Sequence, residues 1–108
     1  MNKFLLLSLV VFLSLSVTLA VAAEKTKGKT GDALFKEHCA VCHPDGGNII
    51  NSQKTLHKSD LDANKIKKPK DIIKTMRNPG PSMTKFDKKT IPDSDAKKIA
   101  EYILKTFK

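Results

Sequence analysis

Cys39 and Cys42 are the only cysteines of the chain, two residues apart, and His43 stands directly behind the second. In "EHCAVCHPDGG", residues 37–47, this spacing opens four kinds of chemistry: a disulfide, a metal site, a redox dithiol or a covalent cofactor anchor. A bridge between Cys39 and Cys42 closes a very short loop, so it constrains the unfolded chain little and staples a domain poorly. Zinc asks for about four ligands. Beyond the two thiols the chain offers His57, the crowded His38 and His43, or carboxylates, and no second pair of cysteines. A thiol oxidoreductase sets its C-x-x-C at a strand-to-helix junction of an α/β pattern, whereas a helical pattern precedes Cys39.

The fourth chemistry fits. C-x-x-C-H is the attachment pattern of c-type haem. Two thiols three positions apart on a helical turn reach the two vinyl groups on one edge of a porphyrin as thioethers. The adjacent His43 then turns to the iron from the proximal face. For the distal position the chain offers Met76, Met83, His38 and His57. Met76 lies on the apolar face of a predicted helix, where methionine is ordinarily core. Met83 follows "NPGPS", a stiff irregular loop that holds a thioether at a fixed distance, 40 residues after His43. Met83 is therefore the expected distal ligand.

These side chains need elements to position them, and every element reads as helix. Thr30 or Asp32 caps a helix through "ALFKEHCA", and "HPDGGNIINSQ" is loop. A short helix starts at Ser59 or Asp60 and covers 61–64. Another spans 70–76, with Ile72, Ile73 and Met76 on one face. Pro79 and Pro81 forbid its continuation, and Gly80 between them permits an unusual backbone angle. The last helix lies in "PDSDAKKIAEYILKTF", with acidic residues at its start and a stripe of Ile99, Tyr102, Ile103 and Phe107. The expectation is an all-α domain of three to five helices wrapped around one covalently bound haem.

Residues 1–23 read as a secretory signal peptide: Lys3 as the basic start, an uncharged apolar run over 4–20, then the small residues "AVAA". A retained anchor is the competing reading, because the run approaches the ~20 residues that span a bilayer. No cysteine marks a lipid-anchoring site. Cleavage leaves a single domain, 24–108, so small that its core needs a staple. Without Lys3 that domain holds 19 basic and 11 acidic side chains. Such a surplus favours acidic partners. Nucleic acid fits least, since Arg77 is the only arginine able to fork onto guanine.

The ordered series "GDALFKEHCAVCH", "GGNIINSQKTL", "MTKF" and "IAEYIL" resembles the small soluble class I cytochromes c, particularly the photosynthetic-type carriers and their bacterial relatives. The resemblance covers essentially the whole of 24–108. It implies that Cys39 and Cys42 bind haem c, that His43 is the proximal and Met83 the distal iron ligand, and that Gly31 and Phe35 pack against Tyr102 where the first and last helices cross. The family commonly has proline after the ligand methionine; here Thr84 follows and the prolines come before.

With both axial positions filled, the expected function is a monomeric, diffusible one-electron carrier in the periplasm or a thylakoid-lumen-type compartment. Its partners are redox proteins with acidic docking faces, including membrane-bound oxidase or reductase complexes. Lys65, Lys67, Lys68, Lys70 and Lys74 before the methionine loop, with Lys85, Lys88 and Lys89 after it, form the docking rim. The rival readings are a small haem peroxidase and a gas- or redox-sensing haem protein. Both need an open sixth position, and the peroxidase also needs a polar distal group, for which His57 is the candidate.

Overall fold

Thr30 opens the first helix, α1 (Gly31–His38). Its backbone is extended and its hydroxyl accepts from the Ala33 amide at 3.2 Å, so Thr30 and not Asp32 is the cap. Asp32 sits in the first turn, where its charge favours the helix N-terminus. The computed structural model describes residues 28–108; the signal-peptide reading of 1–23 lies outside them.

Three further helices follow: α2 (Lys58–Ala63), α3 (Pro69–Arg77) and α4 (Asp93–Thr106). Among the described residues there is no strand. The architecture is all-α, as expected. α2 opens at Lys58, earlier than Ser59 or Asp60, with the Asp60 carboxylate accepting from the hydroxyl of Thr55. α3 begins with Pro69 at its first position, where a missing N–H costs nothing. The Asp71 carboxylate accepts from the Lys67 and Lys68 amides at 3.0 and 3.1 Å. The Lys67 bond, first among several contacts, holds that carboxyl below the ordinary range.

α4 is the spine, crossing both α1 and α3. Its Ala96, Ile99, Ala100 and Ile103 are buried against Leu34, Phe35, Leu61, Ile72, Met76 and Ile91. At the α1–α4 crossing a Cβ on Gly31 would lie 2.5 Å from the Lys98 carbonyl oxygen and 2.9 Å from the Tyr102 Cβ. Only glycine permits that approach. The Phe35 ring stands 5.3 Å from that of Tyr102, which is the packing that the resemblance implied, and 5.3 Å from that of Phe107, which it did not include.

Two local expectations are corrected. α1 stops at His38 and does not run on through Cys39 and Ala40: Cys39 is its C-cap, and the Cys42 and His43 amides both turn back to the Cys39 carbonyl, at 3.2 and 2.9 Å. One 3-10 turn, Pro44–Gly46, then interrupts the expected loop. Positive φ falls on Asp45, Gly46 and Lys65, not on Gly80. Gly46 needs its freedom twice, for its φ of 78° and because a Cβ would meet the Phe107 ring at 2.5 Å.

Candidate functional site

The sharp turn after α1 aims Cys39, Cys42 and His43 into a cavity of about 370 Å³. Leu56 and Leu61, Ile66, Ile72 and Met76, and Ile103 supply its apolar wall from every other part of the chain. The loop between α3 and α4 closes the remaining side with residues 80–84 and Phe86, and Met83 is among them. All four expected site residues therefore line one space.

Each is held by local structure. The His43 Nδ1 stands 2.7 Å from the Gly47 carbonyl. With Nδ1–H donating there, the ring is fixed and Nε2 is left for a metal. The Asn48 side chain accepts from the Ile50 and Asn51 amides, both at 2.9 Å, and donates to the Lys54 carbonyl at 2.8 Å. These bonds stiffen the loop over 48–54, which forms part of the wall. The Met83 amide donates to the Gly80 carbonyl at 3.3 Å.

The chemistry of the thiols narrows the alternatives. Cys39 and Cys42 are unbridged. Burial pushes the Cys39 thiol up to about 11, whereas a dithiol redox centre needs a thiolate favoured at neutral pH. Among the described residues no three His, Cys, Asp or Glu side chains gather into a zinc-type cluster. An apolar slot bordered by two thiols, a fixed imidazole and a thioether fits a flat apolar macrocycle with a central metal.

Of the other distal candidates, only His57 lies off the cavity. His57 is exposed and packs edge-on against Phe107, 6.1 Å between ring centres, away from the cavity; it cannot serve as a distal group. His38 does line the cavity, edge-on to Phe86. Met76 is buried, 3% exposed, as a core residue should be, yet it borders the same cavity. Sequence reasoning passed over one contributor: Arg77, whose guanidinium ties the methionine loop. Its only signal was being the one arginine among nineteen lysines.

Residues 26–103 match the protein-family model described as cytochrome C oxidase, cbb3-type, subunit III. Over 104 residues the chain is 33% identical to a cytochrome c6 of Rippkaea orientalis, a match covering 96% of this chain and 93% of that one. The chain belongs to the class I c-type cytochromes. A second cytochrome c6, from Synechocystis, is 40% identical over 85 residues, 79% of this cytochrome and 68% of the relative. Among solved structures, OmcF, outer membrane cytochrome F from Geobacter sulfurreducens, superposes with a TM-score of 0.70 at 45% identity, over 72% of this cytochrome and 99% of that chain.

Membership fixes the cofactor class and the broad role. The cytochrome carries one covalently bound haem c with its iron, and it serves electron transport as a carrier, not as an enzyme. The peroxidase reading is thereby set aside.

Proposed function

We propose that this cytochrome is an exported one-electron carrier in which Cys39 and Cys42 hold the haem as thioethers and His43 and Met83 are the axial ligands. The observation that carries the reading is the convergence of those four side chains, from two distant segments, on one apolar cavity. Bound there, the haem supplies a reversible ferrous–ferric couple, tuned by its ligands and by burial. The protein's part is to fix the imidazole through Gly47, to present the thioether on the loop over 78–86, and to keep water from the apolar wall.

Charge distribution supports an acidic partner. Residues 64–92 hold nine basic side chains against two carboxylates, while the other described residues balance at eight against eight. Every lysine of the basic segment is exposed. Lys88 is partly committed, its Nζ 3.3 Å from Asp93. Both Nη groups of Arg77 are engaged within the fold, which removes the fork that could have read a base. Lys65 and Lys85 sit between cavity-lining neighbours, Asn64 and Ile66 for one, Thr84 and Phe86 for the other. Lys65 holds φ at 60° just past the end of α2, a conformation glycine adopts at less cost. A charged side chain therefore stands where the backbone favours glycine. Beside the basic segment, Val41 and Ile50 form an exposed apolar rim to the cavity, 76% and 57% exposed.

The partners are redox proteins with acidic faces, including membrane-bound oxidase or reductase complexes. The compartment is the periplasm or a thylakoid-lumen-type space, on the strength of the leader pattern in 1–23. Stopped-flow oxidation of the reduced cytochrome by an acidic redox protein tests the carrier role. One electron should pass per haem, with a second-order rate that falls steeply as salt shortens the screening length from ~10 Å toward ~3 Å. The double substitution Lys65→Gly and Lys85→Gln should slow the low-salt rate several-fold and leave the haem spectrum unchanged. A rate indifferent to salt and to both lysines would remove the docking role.

A further inference from the structure

Arg77 is the last residue of α3, and its two Nη groups leave in different directions. Nη1 donates to the Phe86 carbonyl at 3.1 Å, and Nη2 donates to Asp93 Oδ1 at 2.9 Å. Phe86 lies three residues after Met83, and its own amide donates to the Met76 carbonyl at 3.0 Å. The returning end of the methionine loop is thus held twice: by the backbone of α3, and by a guanidinium anchored on the first residue of α4. The bond from Arg77, with a further one from Lys88, holds the Asp93 carboxyl below the ordinary range.

The rest of the loop has little else. Among the described residues, 79–85 make no side-chain hydrogen bond, and the loop's own backbone bond is the long one from Met83 to Gly80. Its leading end is fixed by the Asn78 amide on the Lys74 carbonyl at 2.9 Å. Pro79 and Pro81 restrict the chain between the two ends, but they do not choose where it returns. That choice falls to the Phe86 position. Lysine cannot replace the arginine here, because one ammonium group lacks the planar fork that reaches a carbonyl and a carboxylate together.

We infer that Arg77 is a positioning residue for Met83, clamping the return of the loop so that the thioether stays on the iron when an external ligand competes for the same position. The inference rests on Met83 being the distal ligand. It makes the resistance of the ferric iron to imidazole a property of the Arg77–Phe86–Asp93 bracket.

Imidazole titration of the ferric holoprotein, followed by the loss of the methionine-to-iron charge-transfer band, tests it. Arg77→Lys should keep haem content and far-UV circular dichroism yet bind imidazole about tenfold more tightly, equivalent to about 1.4 kcal/mol. Asp93→Asn, which frees only the anchor, should shift affinity in the same direction by a smaller factor, and it decides the matter if Arg77→Lys does not fold. Lys88→Gln should stay within twofold of wild type, since Lys88 touches Asp93 but not the loop carbonyl. Ile99→Val loosens the core away from the cavity and controls for stability alone; it should leave imidazole affinity unchanged. Wild-type affinity in folded Arg77→Lys and Asp93→Asn, or an equal gain in Ile99→Val, would overturn the inference while leaving Met83 as ligand. A wild-type ferric spectrum without the band would instead remove the Met83 reading and the inference with it.

Discussion

Replacing Cys39 and Cys42 together with alanine is expected to yield a chain without haem and without a cooperative fold. The core explains why. Among the described residues only ten apolar side chains are buried, and four of them, Leu61, Ile72, Met76 and Ile103, line a cavity of about 370 Å³. Without the macrocycle those apolar walls stand open to water, and the burial that would stabilise them, ~25 cal/mol per Å² of apolar surface, is lost. Domains this small have little to set against it, since total stabilities run at ~5–15 kcal/mol. The macrocycle is the missing centre of the core, and the thioethers keep it there. Far-UV circular dichroism and a thermal melt of the double variant check this. A helical, cooperatively melting protein with no haem would show that the polypeptide packs without it.

Met83→His should keep the iron six-coordinate and low-spin while lowering the midpoint potential by on the order of 0.1–0.3 V, part of the ~0.8 V that axial ligation spans. The direction follows from the thioether, which favours ferrous iron more than imidazole does. Met76→Leu is the companion. Met76 borders the cavity, but it is buried in α3, and leucine fills nearly the same volume, so the change costs less than ~1.5 kcal/mol. Its potential should stay close to wild type. An electrochemical titration of the two variants separates them, and a large drop on Met76→Leu with none on Met83→His would exchange their roles.

What the sequence revealed and what it hid divide along physical lines. The Cys39–Cys42–His43 spacing is local chemistry, legible without a fold. The capping hydroxyl of Thr30 is equally local, and so is part of the stripe on α4: Ile99 and Ile103 are buried as the pattern put them, while Phe107 lies just past the helix and Ala96 and Ala100 complete the buried face. The end of α1 was misplaced because apolar periodicity does not register that His43 must turn to Gly47. The sequence permitted an unusual backbone angle at Gly80, between its prolines, yet the positive φ is needed at Gly46, where the ring of Phe107 arrives from the far end of the chain. No window of neighbouring residues contains that contact. Likewise His57 was the sequence's candidate for a polar distal group, and only tertiary structure turns it against Phe107 while His38 lines the cavity. Arg77 reaches its two acceptors 9 and 16 residues away, so its role too belongs to the fold.

The central claim, that Met83 and His43 share the iron in a haem held at Cys39 and Cys42, meets its most direct test in the ferric absorption spectrum of three purified holoproteins. Wild type and Met76→Leu should both show the methionine-to-iron charge-transfer band at the red end of the spectrum, and Met83→Leu should lack it while its haem survives acid-acetone extraction. A band that persists in Met83→Leu, or that is absent from wild type, would contradict the account.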